Sequence, residues 1–134
     1  MKETADTAAT TALITGVTGQ DGSYLAEFLI ARGYRVIGAT RDANRATAAL
    51  PPSLKARVEL VEWDMRDQRG MRGALDRYLP AEVYNFAGYT SGAGMYDDPV
   101  GIGDINGLAV TRLLEAIREV DARIRFCQAS SRPR

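Results

Sequence analysis

The stretch Ala12-Leu-Ile-Thr-Gly-Val-Thr-Gly-Gln-Asp-Gly22 decides the fold. Ala12 to Val17 is a short apolar run interrupted by glycine, the pattern of a strand buried on both faces. Gln20 to Arg32 follows with helical spacing, which puts Tyr24, Leu25, Phe28 and Leu29 on one face, and Gly33 supplies the stop. Between strand and helix stand Gly16, Gly19 and Gly22. Gly16 permits a tight turn, Gly19 lets backbone approach a pyrophosphate, and Gly22 lets the helix pack close to the strand. The amides and dipole at the helix N-terminus then face the phosphates. Glycines at this spacing are weak evidence alone. Between a strand and a helix at the head of an alternating chain they are strong evidence, against a glycine-rich turn that binds nothing.

Working outward, Tyr34 to Ala39 reads as a second strand and Arg57 to Glu62 as a third, joined by a polar connection through Pro51-Pro52 with one short helical turn. Asp67 caps a helix running to Leu79, and Pro80 follows. Glu82 to Ala87 is a fourth strand, then a Gly-rich loop runs from Gly88 to Pro99. A helix from about Ile102 to Val120 carries the stripe Ile105, Leu108, Leu113, Ala116, Ile117 and Val120. Arg123 to Ala129 is a fifth strand. This alternation predicts an α/β fold, a Rossmann-like doubly wound parallel sheet with right-handed crossovers, truncated after the fifth strand. Residues 1–11, rich in Thr and Ala, are expected to form a flexible N-terminal tail, and residues 12–134 one cofactor-binding domain.

Composition narrows the chemistry. Positive and negative residues balance, so nothing in the charge favours nucleic acid or an anionic membrane. No apolar run is long enough to span a bilayer. The single cysteine, Cys127, excludes an internal disulfide framework and fits a reducing, cytoplasmic setting. Histidine is absent, which removes Ser-His-Asp and Cys-His catalysis and most zinc sites, so no metal site is expected. Chemistry is left to a cofactor, carboxylates, hydroxyls or the two lysines, Lys2 and Lys55.

The strand ends name the binding residues. An acid after the second strand would bond a ribose 2′-hydroxyl and favour NAD. Thr40 and Arg41 stand there instead, and a guanidinium pairs with a 2′-phosphate, so NADP is expected, with NAD as the alternative. Asp42 next to it counts against this, since a carboxylate repels that phosphate. Arg41 as a merely solvated loop charge is the competing reading. After the third strand, Asp64 is placed to accept from an adenine amino group and Met65 to line the ring, while a turn or capping role for Asp64 stands equally open. Phe86, Ala87 and Gly88 close the fourth strand at the same sheet edge, small enough for a cofactor to pass over. Trp63 and Tyr78 read as packing or surface residues.

These residues also carry a resemblance. Ala12 to Leu29, with its Gly-Gln-Asp-Gly-Ser-Tyr-Leu core, resembles the GDP-mannose 4,6-dehydratases, extended short-chain dehydrogenase/reductases. Glu82-Val-Tyr-Asn85, Arg112-Leu-Leu-Glu-Ala-Ile-Arg118 and Arg125-Phe-Cys-Gln-Ala-Ser130 match as well, so the resemblance covers nearly all of the chain after the tail. It implies a phosphate turn made of Gly16, Thr18, Gly19, Gln20, Asp21 and Gly22. Arg41 matches the first of two arginines in that family, and Asp42 replaces the second. Asp64 and Met65 match an Asp-Leu pair near the adenine. Thr90 matches a serine near the nicotinamide and sugar, and marks the substrate side.

The implied reaction is redox-neutral. NADP takes a hydride from C4 of the hexose with a Tyr-Lys pair as base, a glutamate removes the C5 proton, water leaves from C6, and the hydride returns to C6. The substrate is GDP-mannose and the product GDP-4-dehydro-6-deoxy-mannose. Two departures bear on this. The loop Ser91 to Asp98 differs from the family's substrate-side loop. Ser131 retains the catalytic hydroxyl, but Pro133 stands where the catalytic glutamate belongs, and no Tyr-x-x-x-Lys occurs in the 134 residues. The expectation is an N-terminal part of such an enzyme, inactive on its own and with an open edge that permits self-association. The alternatives are a short NADP-binding or partner-binding module and a fragment of a related nucleotide-sugar epimerase.

Overall fold

A computed structural model describes residues 9–87, 100 and 107–129. Its elements are β1 (Thr11–Thr15), α1 (Gln20–Ala31), β2 (Arg35–Thr40), α2 (Ala43–Ala49), α3 (Pro52–Lys55), β3 (Val58–Glu62), α4 (Gln68–Tyr78), β4 (Glu82–Asn85), α5 (Ala109–Val120) and β5 (Arg125–Gln128). The five strands form one sheet in the order β3-β2-β1-β4-β5, with every neighbouring pair parallel. Parallel neighbours require crossovers, and helices supply them on both faces. The Rossmann-like doubly wound sheet expected from the alternation is therefore the observed fold.

The two faces have separate cores. Leu13, Ile37 and Val83 point from the central strands toward α4 and α5, where they meet Met71, Leu75, Leu113 and Ile117. Ala12, Ile14 and Val36 point the other way, toward Ala26 and Leu29 of α1 and Leu50 and Leu54 around α2 and α3. Consecutive strand residues face opposite sides of a sheet. In a strand covered on both sides all of them are apolar, which is why β1 reads as a continuous run. Among the described residues, no helix is long and apolar enough to cross a membrane.

Some local expectations need correcting. The buried face of α1 is Gly22, Ala26 and Leu29, not a stripe through Tyr24 and Phe28, which are 61% and 52% exposed. Close packing at Gly22 brings the helix too near the sheet for aromatic rings, and Phe28 instead lies under the Arg32 guanidinium at 4.2 Å. The β2–β3 connection contains two short helices rather than one turn. Leu108 is exposed, and Ala109 takes the buried position at the start of α5. Thr11, assigned to the tail, is the first residue of β1 and pairs with Arg35. Gly33 ends α1 in the left-handed region at φ 86°, as a helix stop requires.

Candidate functional site

Beyond β1 the sheet grows in two directions, through β2 to β3 and through β4 to β5. That reversal opens a crevice at the carboxyl ends of the strands, the place where open α/β sheets take ligands. The turn after β1 enters it. Gly16 has φ 69°, and a Cβ there would lie 2.8 Å from the carbonyl carbon of Phe86 and 2.9 Å from its oxygen. Only glycine meets both conditions. The Gly19 amide donates to the Gly16 carbonyl at 3.1 Å and closes the turn. A Cβ at Gly22 would overlap the Gly16 carbonyl oxygen, so α1 starts in direct contact with the turn. Gly19 is the N-cap and brings no side-chain hydrogen bond. The first amides of α1 have no partner inside the helix and are not spent on a capping side chain. Ser23 Oγ donates to the Gly19 carbonyl at 2.8 Å and steadies the first turn.

A polar ladder, buried at Thr15 and Asn85, holds this edge of the sheet. Thr15 Oγ1 donates to Asn85 Oδ1 and accepts from the amides of Phe86 at 3.1 Å and Ala87 at 3.0 Å. Asn85 Nδ2 donates to Gln128 Oε1 at 2.7 Å. Thr15, Asn85 and Gln128 are in register across β1, β4 and β5. Thr15 and Asn85 are buried, where the loss of these bonds would cost each its hydration, and the exposed Gln128 extends the ladder to β5, so the strand ends are fixed under the crevice. Sequence reasoning did not single out Thr15 or Asn85 for this role. The available signal was a polar residue at a fully buried position in each of two apolar strands.

Above the ladder lies a cleft of about 300 Å³, lined by Thr15, Gly16, Val17, Thr18, Ala39, Thr40, Arg41, Trp63, Met65 and Ala87. Among the described residues, Arg41 is the only charged one in this lining. The neighbouring carboxylates are engaged elsewhere. Asp42 accepts from the Arg45 amide at 3.1 Å and caps α2, and Glu62 Oε2 accepts from the Ala43 amide at 2.9 Å. Both acids thus serve the N-terminus of α2, where the helix dipole favours negative charge. Asp64 accepts from the Arg66 amide at 2.9 Å and from its guanidinium at 3.3 and 3.4 Å. The hydrogen bond from the Arg66 side chain, with that from its amide, holds the Asp64 carboxyl below the usual range. The turn role foreseen for Asp64 is what this side chain does here.

Of the residues predicted to bind cofactor, Gly16, Thr18, Arg41, Met65 and Ala87 line the cleft. Gly19, Gln20, Asp21 and Gly22 build the N-terminus of α1 beside it. Phe86 lies half-buried against the core on the α1 side of the sheet. Gly88, Thr90 and Ser131 lie outside the described residues. Trp63, expected only to pack, both packs in the core and lines the cleft.

A family profile described as GDP-mannose 4,6 dehydratase matches residues 13–132. The chain belongs to this family. The GDP-mannose 4,6-dehydratase of Vibrio cholerae is 39% identical over 129 residues, covering 90% of this chain and 35% of its own length. The chain therefore spans about a third of the length of such curated dehydratase relatives. Among solved structures, UDP-glucose 4-epimerase of Thermus thermophilus in complex with NAD has a TM-score of 0.72 at 30% identity, covering 84% of this chain and 35% of that one. The epimerase Mth375 of Methanothermobacter thermautotrophicus has a TM-score of 0.78 at 25% identity, covering 98% and 38%.

Proposed function

We propose that this chain is the NADP-binding part of a GDP-mannose 4,6-dehydratase, with residues 12–134 as its cofactor domain. The cleft supports that reading: a glycine turn at the switch point, uncapped helix amides beside it, and Arg41 as the single charged residue of its lining among the described residues. A dinucleotide fits what is there. The first amides of α1 would take the pyrophosphate. Arg41 would take the 2′-phosphate through charge-assisted hydrogen bonds, with Asp42 drawn away to cap α2. Ala39, Met65 and Ala87 give apolar walls. The bound nicotinamide would supply a reversible hydride acceptor for the hexose. This chain's own part is to hold and orient that group and to exclude water from one side of it.

In the full-length protein the proposed reaction is loss of water from GDP-mannose. Gly88, Thr90 and Ser131 belong to the nicotinamide and sugar side of the proposal. The 134 residues contain no Tyr-x-x-x-Lys, and a proton-transfer step without its positioned base loses the rate that base supplies. The polypeptide by itself is therefore expected to bind NADP without turning over GDP-mannose. β5 stands at the edge of the sheet, and such an edge permits self-association. Calorimetric titration of the purified chain with NADP, beside an assay for GDP-4-dehydro-6-deoxy-mannose, tests both halves. Saturable one-to-one binding without product agrees with the proposal. No NADP binding would remove the first half, and sustained product formation the second.

A further inference from the structure

We propose that the outer flank of α1 is a dimer seam, taking the α1 of a second copy of this chain in antiparallel alignment. At about 100° per residue, Asp21, Tyr24, Leu25, Phe28 and Arg32 share one flank, and Ser23, Glu27 and Ile30 fall on the other. Tyr24 and Phe28 stand one turn apart and are largely exposed, whereas the helix buries only Gly22, Ala26 and Leu29. Single exposed apolar residues are ordinary, but two neighbouring rings make a continuous patch suited to a partner. Arg32 lies over the Phe28 ring and within electrostatic reach of the Tyr34 phenol, which donates to Glu82 of β4. The flank is therefore on the β4 side of α1, where no helix covers this face among the described residues. Charge selects the occupant. The seam begins on an acid, Asp21, and ends on a base, Arg32, and neither is in an ion pair among the described residues. A two-fold axis beside Ala26 sets Tyr24 against the partner's Phe28. It also brings Asp21 level with the partner's Arg32 to within one residue's rise, about 1.5 Å. Every contact then forms twice, as an isologous interface requires. Parallel alignment would set like charges together, which disfavours it.

Two helices of 12 residues offer less contact than the roughly 1,200 Å² at which stable complexes begin, so the dimer is expected to be weak and to respond to concentration. Sedimentation equilibrium of the 134-residue chain, from about 1 µM to about 1 mM, should move from monomer mass toward dimer mass and level there. Phe28→Glu is expected to keep the melting temperature and abolish that shift. Arg32→Glu is expected to weaken the dimer about tenfold, since both ion pairs turn repulsive. Adding Asp21→Lys to Arg32→Glu restores opposite charges and should recover most of that loss, which a merely sticky ring patch would not do. A chain that stays monomeric throughout overturns the proposal and leaves the flank to another occupant, such as a further segment of a longer protein. Mass that climbs past two copies without levelling overturns it too. So does a dimer that survives Phe28→Glu, which would place the contact elsewhere, such as the β5 edge. Should Phe28→Glu fail to fold, the charge reversal and its rescue decide. None of these readouts involves NADP, so the cofactor reading stands or falls separately.

Discussion

At Gly22 one methyl group decides whether the turn closes. A Cβ there overlaps the Gly16 carbonyl and comes within 2.9 Å of the Val17 Cα, both backbone, so no rotamer change relieves it. Gly22→Ala is expected to lower the unfolding free energy by about 3 kcal/mol, at the upper end of ordinary overpacking. Gly19 is different. Its added Cβ would meet only the Gly16 oxygen, at 3.3 Å, and its backbone is extended. Gly19→Ala is therefore expected to cost about 1 kcal/mol or less while weakening NADP, because the methyl fills space the pyrophosphate needs. Melting curves beside NADP titrations of the two variants separate the folding glycine from the binding one. The glycine spacing was plain in the sequence. The roles of Thr15 and Asn85 were not, because a buried hydroxyl or amide shows its value only once its partners across the sheet are known. Trp63 was missed for a related reason: a lone aromatic after a strand has the appearance of core, and here it is core and cleft wall at once.

Among the elements, α4 carries the clearest local conflict. It is capped at the front by Asp67, which accepts from the Gly70 amide at 3.0 Å. It ends on Leu79 at φ 45°, in the left-handed region, with buried Pro80 next. A side chain there is strained by about 1 kcal/mol or more, and Leu79 is 62% exposed, so little burial offsets it. Leu79→Gly is expected to raise the unfolding free energy by up to about 1 kcal/mol, read as a higher midpoint in denaturant. The Asp67 start and the Pro80 stop were legible in the sequence because capping and helix termination are local. The buried face of α1 was not. Counting apolar residues favours Tyr24 and Phe28, whereas the packing distance set at Gly22 selects Ala26 and Leu29. Small residues carry no hydrophobic signal, so periodicity undercounts them.

For the whole molecule, alternation of strand and helix was enough to read a doubly wound sheet, since short parallel crossovers leave few other arrangements. The order β3-β2-β1-β4-β5 is written in no single segment; it emerges from which faces must be covered. The edge opposite the cleft has its own polar cluster. Glu82 at the start of β4 accepts from Tyr34 at 3.1 Å and from Tyr84 at 2.8 Å. Burial, then the bond to Glu82, pushes Tyr84 up to about 12 from 10.0, and Tyr34 is raised chiefly by its own bond to Glu82. The folded state thus keeps protons that the unfolded chain has released. Its stability from this source is complete below pH 10.0 and is lost as pH rises toward about 12. Unfolding free energies across that window should fall, and Tyr84→Phe should flatten the fall; an equal slope in the variant would count against the cluster. At the other edge the cleft makes the central claim, that this is an NADP site selected by Arg41. The most direct measurement is the ratio of NADP to NAD affinity for the chain and for Arg41→Leu, titrated side by side in one buffer. A wild-type preference for NADP of about tenfold or more, the worth of one charge-assisted hydrogen bond, should collapse toward one in the variant. Equal affinity in the wild type, or a preference that survives the substitution, would contradict it.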